Sequence, residues 1–215
     1  RLVGSEMCIR DSKHGVENVR VVVEGSLKLG IKFLTLFGFS SENWKRTPTE
    51  IFDLMSLLRS YLDNEIHDLH KKNIRFKVIG DREKLDADIV ELIEVAEELT
   101  KENCDLTLTI ALSYGGRRAI TLAAKELAYR ACKGTIKLDE ISEEAFELVL
   151  ETQGVPNPDL VIRTSGEKRI SNFLLWECAY SEFVFFDTLW PDFSSEHLTK
   201  AVQEYCNRER RFGAA

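Results

Sequence analysis

Asp159-Leu160-Val161-Ile162-Arg163-Thr164-Ser165-Gly166-Glu167-Lys168-Arg169-Ile170-Ser171-Asn172-Phe173-Leu174-Leu175-Trp176 is the stretch on which the fold turns. Its first residues form a short apolar run bounded by charge, which predicts a buried strand over residues 159–163. The run passes directly into a turn with two arginines, a glycine and hydroxyls, and a second apolar segment follows. Arginine presents a planar fork that binds phosphate oxygens in pairs, so Arg163, Arg169 and Ser171 are candidate ligands of a diphosphate. The greasy residues immediately downstream suggest that this phosphate carries an oily group.

The same unit recurs upstream. Residues 31–39 predict a buried strand that ends in Ser40-Ser41-Glu42-Asn43-Trp44-Lys45-Arg46, a polar turn with an indole that an ordinary loop seldom exposes. Residues 74–79 and 106–112 predict two more strands, the second ending in Tyr114-Gly115-Gly116-Arg117, where paired glycines permit a tight strand-to-helix turn. A last strand is expected over 183–186. Between them lie helical patterns. One, through Val16, Val19, Val22, Val23 and Leu27, stops at Gly30. Another opens on the capping signature Thr47-Pro48-Thr49-Glu50 and carries Ile51, Leu54, Leu58, Leu62, Ile66 and Leu69 on one stripe. Others follow Leu85, lead towards Cys132, run from Ser142 to about Glu151, and span 194–211. Strands alternating with helices predict an α/β fold, a mostly parallel central sheet with helices on both faces. In such sheets ligands bind beyond the carboxyl ends of the strands. The three polar clusters all fall there.

Composition narrows the function classes. The 215 residues suit one α/β domain, and a net charge of -7 excludes broad binding to nucleic-acid backbones. The five cysteines have neither paired nor zinc-like spacing, as expected for reduced thiols in a cytoplasmic protein. His67 and His70 lie one helical turn apart without a third ligand, and a solvated helix face explains them. No phosphate-cradling G-x-x-x-x-G-K-[ST] or G-x-G-x-x-G motif is present, which counts against a nucleotide binder. Glu182, just before an apolar strand, is a candidate Mg²⁺ ligand beside diphosphate. Residues 1–12 show no periodicity and read as a foreign segment before a single domain at 13–215.

Together these motifs resemble the cis-prenyltransferase family, most closely its bacterial branch that makes undecaprenyl diphosphate. Ile79-Gly80-Asp81, Trp190-Pro191-Asp192-Phe193 and Arg208-Glu209-Arg210-Arg211-Phe212-Gly213 add to the clusters above, in the family's order. The resemblance implies repeated condensation of isopentenyl diphosphate onto an allylic diphosphate such as farnesyl diphosphate, each new double bond being cis. It implies that Arg163, Arg169, Ile170 and Ser171 hold isopentenyl diphosphate. Ser40, Ser41, Glu42, Trp44 and Arg46 would shape the site between the two substrates, and Asn43 would assist proton removal. It further implies Mg²⁺, bound with help from Glu182, and a homodimer with at most peripheral membrane association. Gly38, Leu54, Leu58 and Phe76 are expected along an oily tunnel for a product of medium length.

The family's first strand and its Asp-bearing phosphate loop have no counterpart in the sequence; neither Asp11 nor His14 carries the surrounding motif, and Lys168 stands where some relatives have histidine. The expectation is an inactive fragment of a transferase. The alternative is a non-catalytic partner subunit of a cis-prenyltransferase complex, although the retained site residues favour the enzyme.

Overall fold

The structure, a computed structural model, describes residues 5–208, with side chains from His14 onward. Eleven regular elements follow in chain order: α1 (Ser5–Lys28), β1 (Phe33–Ser40), α2 (Pro48–Lys71), β2 (Ile74–Ile79), α3 (Ala87–Thr100), β3 (Leu106–Tyr114), α4 (Gly116–Cys132), α5 (Glu143–Glu147), β4 (Leu160–Arg163), β5 (Glu182–Phe185) and α6 (Ser195–Asn207). Short 3₁₀ turns precede α2, α3, α5 and α6.

Every strand pair is parallel, as the alternation requires, but the strands form two sheets. One has the order β1-β3-β2 and the other pairs β4 with β5. Among the described residues β1 pairs only with β3 and β4 only with β5, so each keeps an open edge. Side chains carry the core across that division. Phe37 of β1 shares one apolar cluster with Val161 and Phe183, and Leu34 shares another with Ile162 and Phe186. The outer edge of β2 is closed differently. Thr100 Oγ1 accepts from Phe76 N–H at 3.0 Å, Glu97 Oε1 accepts from Val78 N–H at 2.8 Å, and Asn103 Nδ2 donates to Ile74 O at 2.8 Å. Side chains from α3 and the turn after it thus satisfy backbone groups that an open edge would present to another strand.

The core lies on both faces of the sheet. Residues of α1, α2 and α3 cover one face around the fully buried Ile74, Leu106, Leu108, Ile89 and Ile93. Helix α4 covers the other through Ala119 and Ala123, whose small size lets it pack closely. Helix α6 joins α1 in a third cluster around Val22, Phe193 and Leu198.

Several boundaries differ from the sequence reading for physical reasons. Helix α1 starts at Ser5, so part of the segment expected to stand apart is helical. Neither proline nor glycine occurs between Ser5 and His14, and a helix already packed downstream extends at one hydrogen bond per residue. Gly30, at φ +71°, ends it: Ile31 N–H reaches back to Ser26 O at 3.0 Å, a left-handed closure suited to glycine. The expected capping box at Thr47 and Glu50 is formed, with Pro48 in the first turn. The helix opened by Ser142 is shorter than expected, because Val149 and Leu150 turn to the tighter i→i−3 bonds with Phe146 and Glu147. The last strand is displaced by one residue and begins at Glu182, whose N–H donates to Asp159 O at 2.9 Å. Helix α6 ends at Asn207, where Arg208 takes extended dihedrals; residues 209–213 of the C-terminal motif lie outside the described residues.

Replacing Thr100 by valine keeps the shape but leaves the buried Phe76 N–H without an acceptor. Thr100→Val should lower stability by about 1–3 kcal/mol in a urea titration.

Candidate functional site

The carboxyl ends of β1, β3 and β4 each run into one of the three polar clusters. At the end of β1, Ser40 N–H donates to Asn43 Oδ1 at 2.8 Å and winds residues 41–45 into a 3₁₀ turn. Trp44 is tied inward: its indole meets Phe39 edge-on, with ring centroids 5.0 Å apart, and its Nε1 donates to Ser113 Oγ at 2.8 Å. At the end of β3, Gly115 and Gly116 leave no room for a side chain. A Cβ on Gly115 would stand 2.5 Å from Ser41 Oγ and 2.8 Å from Asn172 Nδ2, and one on Gly116 would stand 2.8 Å from the Leu175 side chain.

At the end of β4, Arg163 Nη1 donates to Arg169 O at 2.6 Å, which folds the arginine-bearing loop back onto its own strand. Ser165 N–H and Gly166 N–H anchor the loop to Thr188 O and Phe186 O at 2.8 and 2.9 Å. Burial, and then the neighbouring Arg169 guanidinium, press the pKa of Arg163 below its usual value. An arginine remains charged regardless, so two cations stand side by side at this loop. Among the described residues no carboxylate lies within ion-pairing distance of Arg163 or Arg46, while Arg169 pairs with Glu167.

These residues surround a cavity of about 850 Å³. Ser40, Asn43, Arg46, Arg163, Thr164, Arg169, Ile170 and Ser171 line its strand-end side, and Val16, Val19, Leu54, Leu58, Phe76 and Ile110 make the apolar remainder. Gly38, Leu54, Leu58 and Phe76, expected along an oily tunnel, all line it. A Cβ on Gly38 would meet Ile110 and Leu112 at 3.2 Å, so the glycine serves the packing of β1 on β3, where the register slips.

Not every expected residue reaches the cavity. Ser41 faces Gly115, Trp44 faces Ser113, and Glu42 accepts from Asn172 Nδ2 at 3.0 Å. Burial pushes the Glu42 carboxyl up, but hydrogen bonds from Asn172, its own backbone, Ser40 and Ser41 outweigh it and hold the pKa below the ordinary value. Glu182 stands apart. The register pairs Leu160 with Glu182 and Arg163 with Phe185, so Glu182 sits at the far end of the strand pair, roughly 10 Å along it from Arg163. Its carboxylate is held by Arg208 at 2.5 Å. No cluster of three His, Cys, Asp or Glu side chains able to hold a metal occurs among the described residues, and His67 and His70 lie exposed on α2.

The family model described as "Putative undecaprenyl diphosphate synthase" matches residues 6–213. The chain belongs to this prenyltransferase family. An isoprenyl transferase of Agrobacterium fabrum is 48% identical over 202 residues, covering 94% of this chain and 82% of that protein. One from Geobacter sulfurreducens is 49% identical over 199 residues, covering 93% and 81%. Among solved structures, a lavandulyl diphosphate synthase from Lavandula x intermedia, in complex with dimethylallyl diphosphate, superposes with a TM-score of 0.91 at 35% identity, covering 94% of this chain and 87% of that one. A probable undecaprenyl diphosphate synthase from Campylobacter jejuni gives 0.82 at 36% identity, covering 93% and 92%.

In this prenyltransferase other sequence motifs prove to be fasteners. Trp190 Nε1 donates to Gly15 O at 2.8 Å and Asn18 Nδ2 donates to Trp190 O at 2.6 Å, joining α1 to the turn before α6. Beneath the first turn of α4, Arg118 contacts Asp81 at 3.0 Å and Glu151 at 2.8 Å, with the buried Glu177 and Tyr114 alongside. Sequence reading missed Arg118, although a charge beside Tyr114-Gly115-Gly116-Arg117 and a buried-strand terminus at Asp81 were both visible.

Burial raises the pKa of Glu151 above 4.5 against the opposing pull of Arg118, and the acids Asp81 and Glu177 add to the rise. The folded chain then retains a proton that the unfolded chain releases, so this residue's contribution to stability falls as pH rises from 4.5 through the folded-state value. Glu151→Gln should flatten that part of the stability–pH curve, measured as urea midpoints from pH 4.5 upward.

Proposed function

We propose that this chain is built for cis-prenyl transfer, the condensation of isopentenyl diphosphate onto an allylic diphosphate such as farnesyl diphosphate. One observation carries the reading: a single cavity of about 850 Å³ joins the guanidiniums of Arg46, Arg163 and Arg169 at the strand ends to an apolar wall. That is the polarity of a molecule with a diphosphate at one end and a hydrocarbon at the other. In this reading Arg163, Arg169, Ile170 and Ser171 hold isopentenyl diphosphate. Ser40 and Arg46 border the space between the substrates, with Ser41, Glu42 and Trp44 fixing the turn behind them.

The reaction breaks the allylic C–O bond and releases diphosphate, while the double bond of isopentenyl diphosphate forms the new C–C bond and loses a proton. Arg46, bordering the space between the substrates, would favour the charge developing on the departing allylic diphosphate. Asn43 Oδ1 accepts one hydrogen bond from Ser40 N–H, and its second lone pair is the acceptor proposed to guide the proton away. The apolar wall accommodates the growing chain, with a medium-length product such as undecaprenyl diphosphate. Mg²⁺ would enter with the substrate phosphates, since it keeps few protein ligands. A role for Glu182 in holding it would require a second subunit of a homodimer, because within the chain that carboxylate faces Arg208. Among the described residues no helix is long and apolar enough to cross a membrane; the family resemblance is what suggests a cytoplasmic protein with at most peripheral membrane association.

The 215-residue polypeptide by itself is proposed to bind isopentenyl diphosphate without turning it over, residues 1–12 standing apart from the domain at 13–215 in function. The open edges of β1 and β4 beside the cavity support this. The same open edges favour, as a second reading, a non-catalytic partner subunit completed by another chain. Isothermal titration should show binding of isopentenyl diphosphate but not ATP, and Arg163→Ala should weaken it about tenfold or more, the loss of one charge-assisted contact. No prenyl transfer should follow with farnesyl diphosphate and Mg²⁺; turnover would remove the claim of inactivity, and absent binding would remove the substrate reading.

A further inference from the structure

Asn172 has no part in the chemistry above, yet all three strand-end clusters meet at its side chain. Its Oδ1 accepts from Arg117 N–H, at the start of α4, at 2.9 Å. Its Nδ2 donates to Glu42 Oε1, in the turn after β1, at 3.0 Å. Its backbone carbonyl accepts from Gly116 N–H at 2.7 Å. On its amino-terminal side stand the exposed Ser171 and Arg169 of the cavity, and on its carboxyl side the chain is fixed in the core. There Leu174 is buried and Phe173 stacks on Phe37 with centroids 4.6 Å apart.

The backbone around Asn172 is strained in a way that needs such fixing. Ser171, Asn172 and Leu174 have φ of +50°, +62° and +43°, a region that side-chain-bearing residues enter at a cost. Asparagine tolerates it best of the three. The close approach that delivers its amide also explains the glycine pair: a Cβ on Gly115 would collide with Asn172 Nδ2 and one on Gly116 would come within 3.1 Å of Asn172 O.

The chemistry selects an amide. The helix terminus offers N–H groups and requires an acceptor, whereas Glu42 is a carboxylate held in its charged form and requires a donor. One short side chain supplies both only as asparagine. Aspartate satisfies the helix and repels Glu42; leucine, of similar shape, satisfies neither.

We propose that Asn172 is a positioning residue that holds the arginine-bearing loop in register with the turn after β1, through its bridge between Arg117 N–H and Glu42. The proposal rests on the reading of this cavity as an isopentenyl diphosphate site, and it acts through Arg169 and Ser171 rather than by touching substrate.

Four proteins test it: the 215-residue chain, Asn172→Asp, Glu42→Gln, and the two substitutions combined. Hydrogen–deuterium exchange and isothermal titration with isopentenyl diphosphate are read on each, with thermal unfolding to confirm that each is folded. In Asn172→Asp, exchange should quicken across residues 40–46 while the Arg117 amide stays protected, and affinity should fall about tenfold. Adding Glu42→Gln supplies a donor to the new carboxylate, so exchange over 40–46 and affinity should both return to those of Glu42→Gln alone. Faster exchange confined to residues 170–174, or no recovery in the combined variant, overturns the proposal. If the unsubstituted chain does not bind isopentenyl diphosphate, the substrate reading fails, and the exchange pattern alone then decides the role of Asn172.

Discussion

The absence of room for a Cβ at Gly115 and Gly116 is the constraint on which the strand ends depend. There the backbone leaving β3 comes so close to Ser41 and to Asn172 that a methyl group on Gly115 would lie inside van der Waals distance of both. Backbone that close brings N–H groups, rather than side chains, to face the neighbouring turns. Gly116 and Arg117 thus become the donors that set where the loop after β4 lies. Arg163 and Arg169 are cationic whatever the fold, but they face one cavity only because that loop is brought back over its strand and pinned at Asn172.

Much of this was legible in the chain. Strand and helix alternation gave the parallel pairing, since a parallel strand can be reached only by a long crossover. The Thr47 box fixed the start of α2 to the residue, because the signature is purely local. The polar clusters were found by their position after apolar runs, and Ser40, Asn43, Arg46, Arg163, Arg169, Ile170 and Ser171 from two of them line the cavity. What escaped was set by distance along the chain. That β4 and β5 form their own sheet depends on pairing between segments, which no local period reports. The pairing of Glu182 with Arg208, a partner 26 residues away, was equally invisible. So was the role of Asn172, whose three partners lie in two other clusters; only its tolerance of a left-handed backbone hinted at special geometry.

Charge is distributed with a similar economy of means. Several arginines elsewhere are matched to acids, as Arg59 is to Asp86 and Asp88 between α2 and α3, and Arg20 to Glu65 between α1 and α2. Such exposed pairs add little stability each, but they hold together the helices whose inner faces wall the cavity. At the cavity, among the described residues, Arg163 and Arg46 have no carboxylate within ion-pairing distance. In a chain of net charge -7 they create a local positive field that an anionic ligand would meet on approach.

The tie between Trp190 and the segment at Gly15 and Asn18 has a consequence for synthesis. Its partners are separated by 175 and 172 residues, so during translation α1 must wait for nearly the whole chain before that contact can close. Val16 and Val19, which wall the cavity, lie on the same helix. A nascent chain therefore carries an unfinished apolar cleft until the ribosome has passed Phe193, and for that interval the surface later available to hydrocarbon is available to chaperones instead.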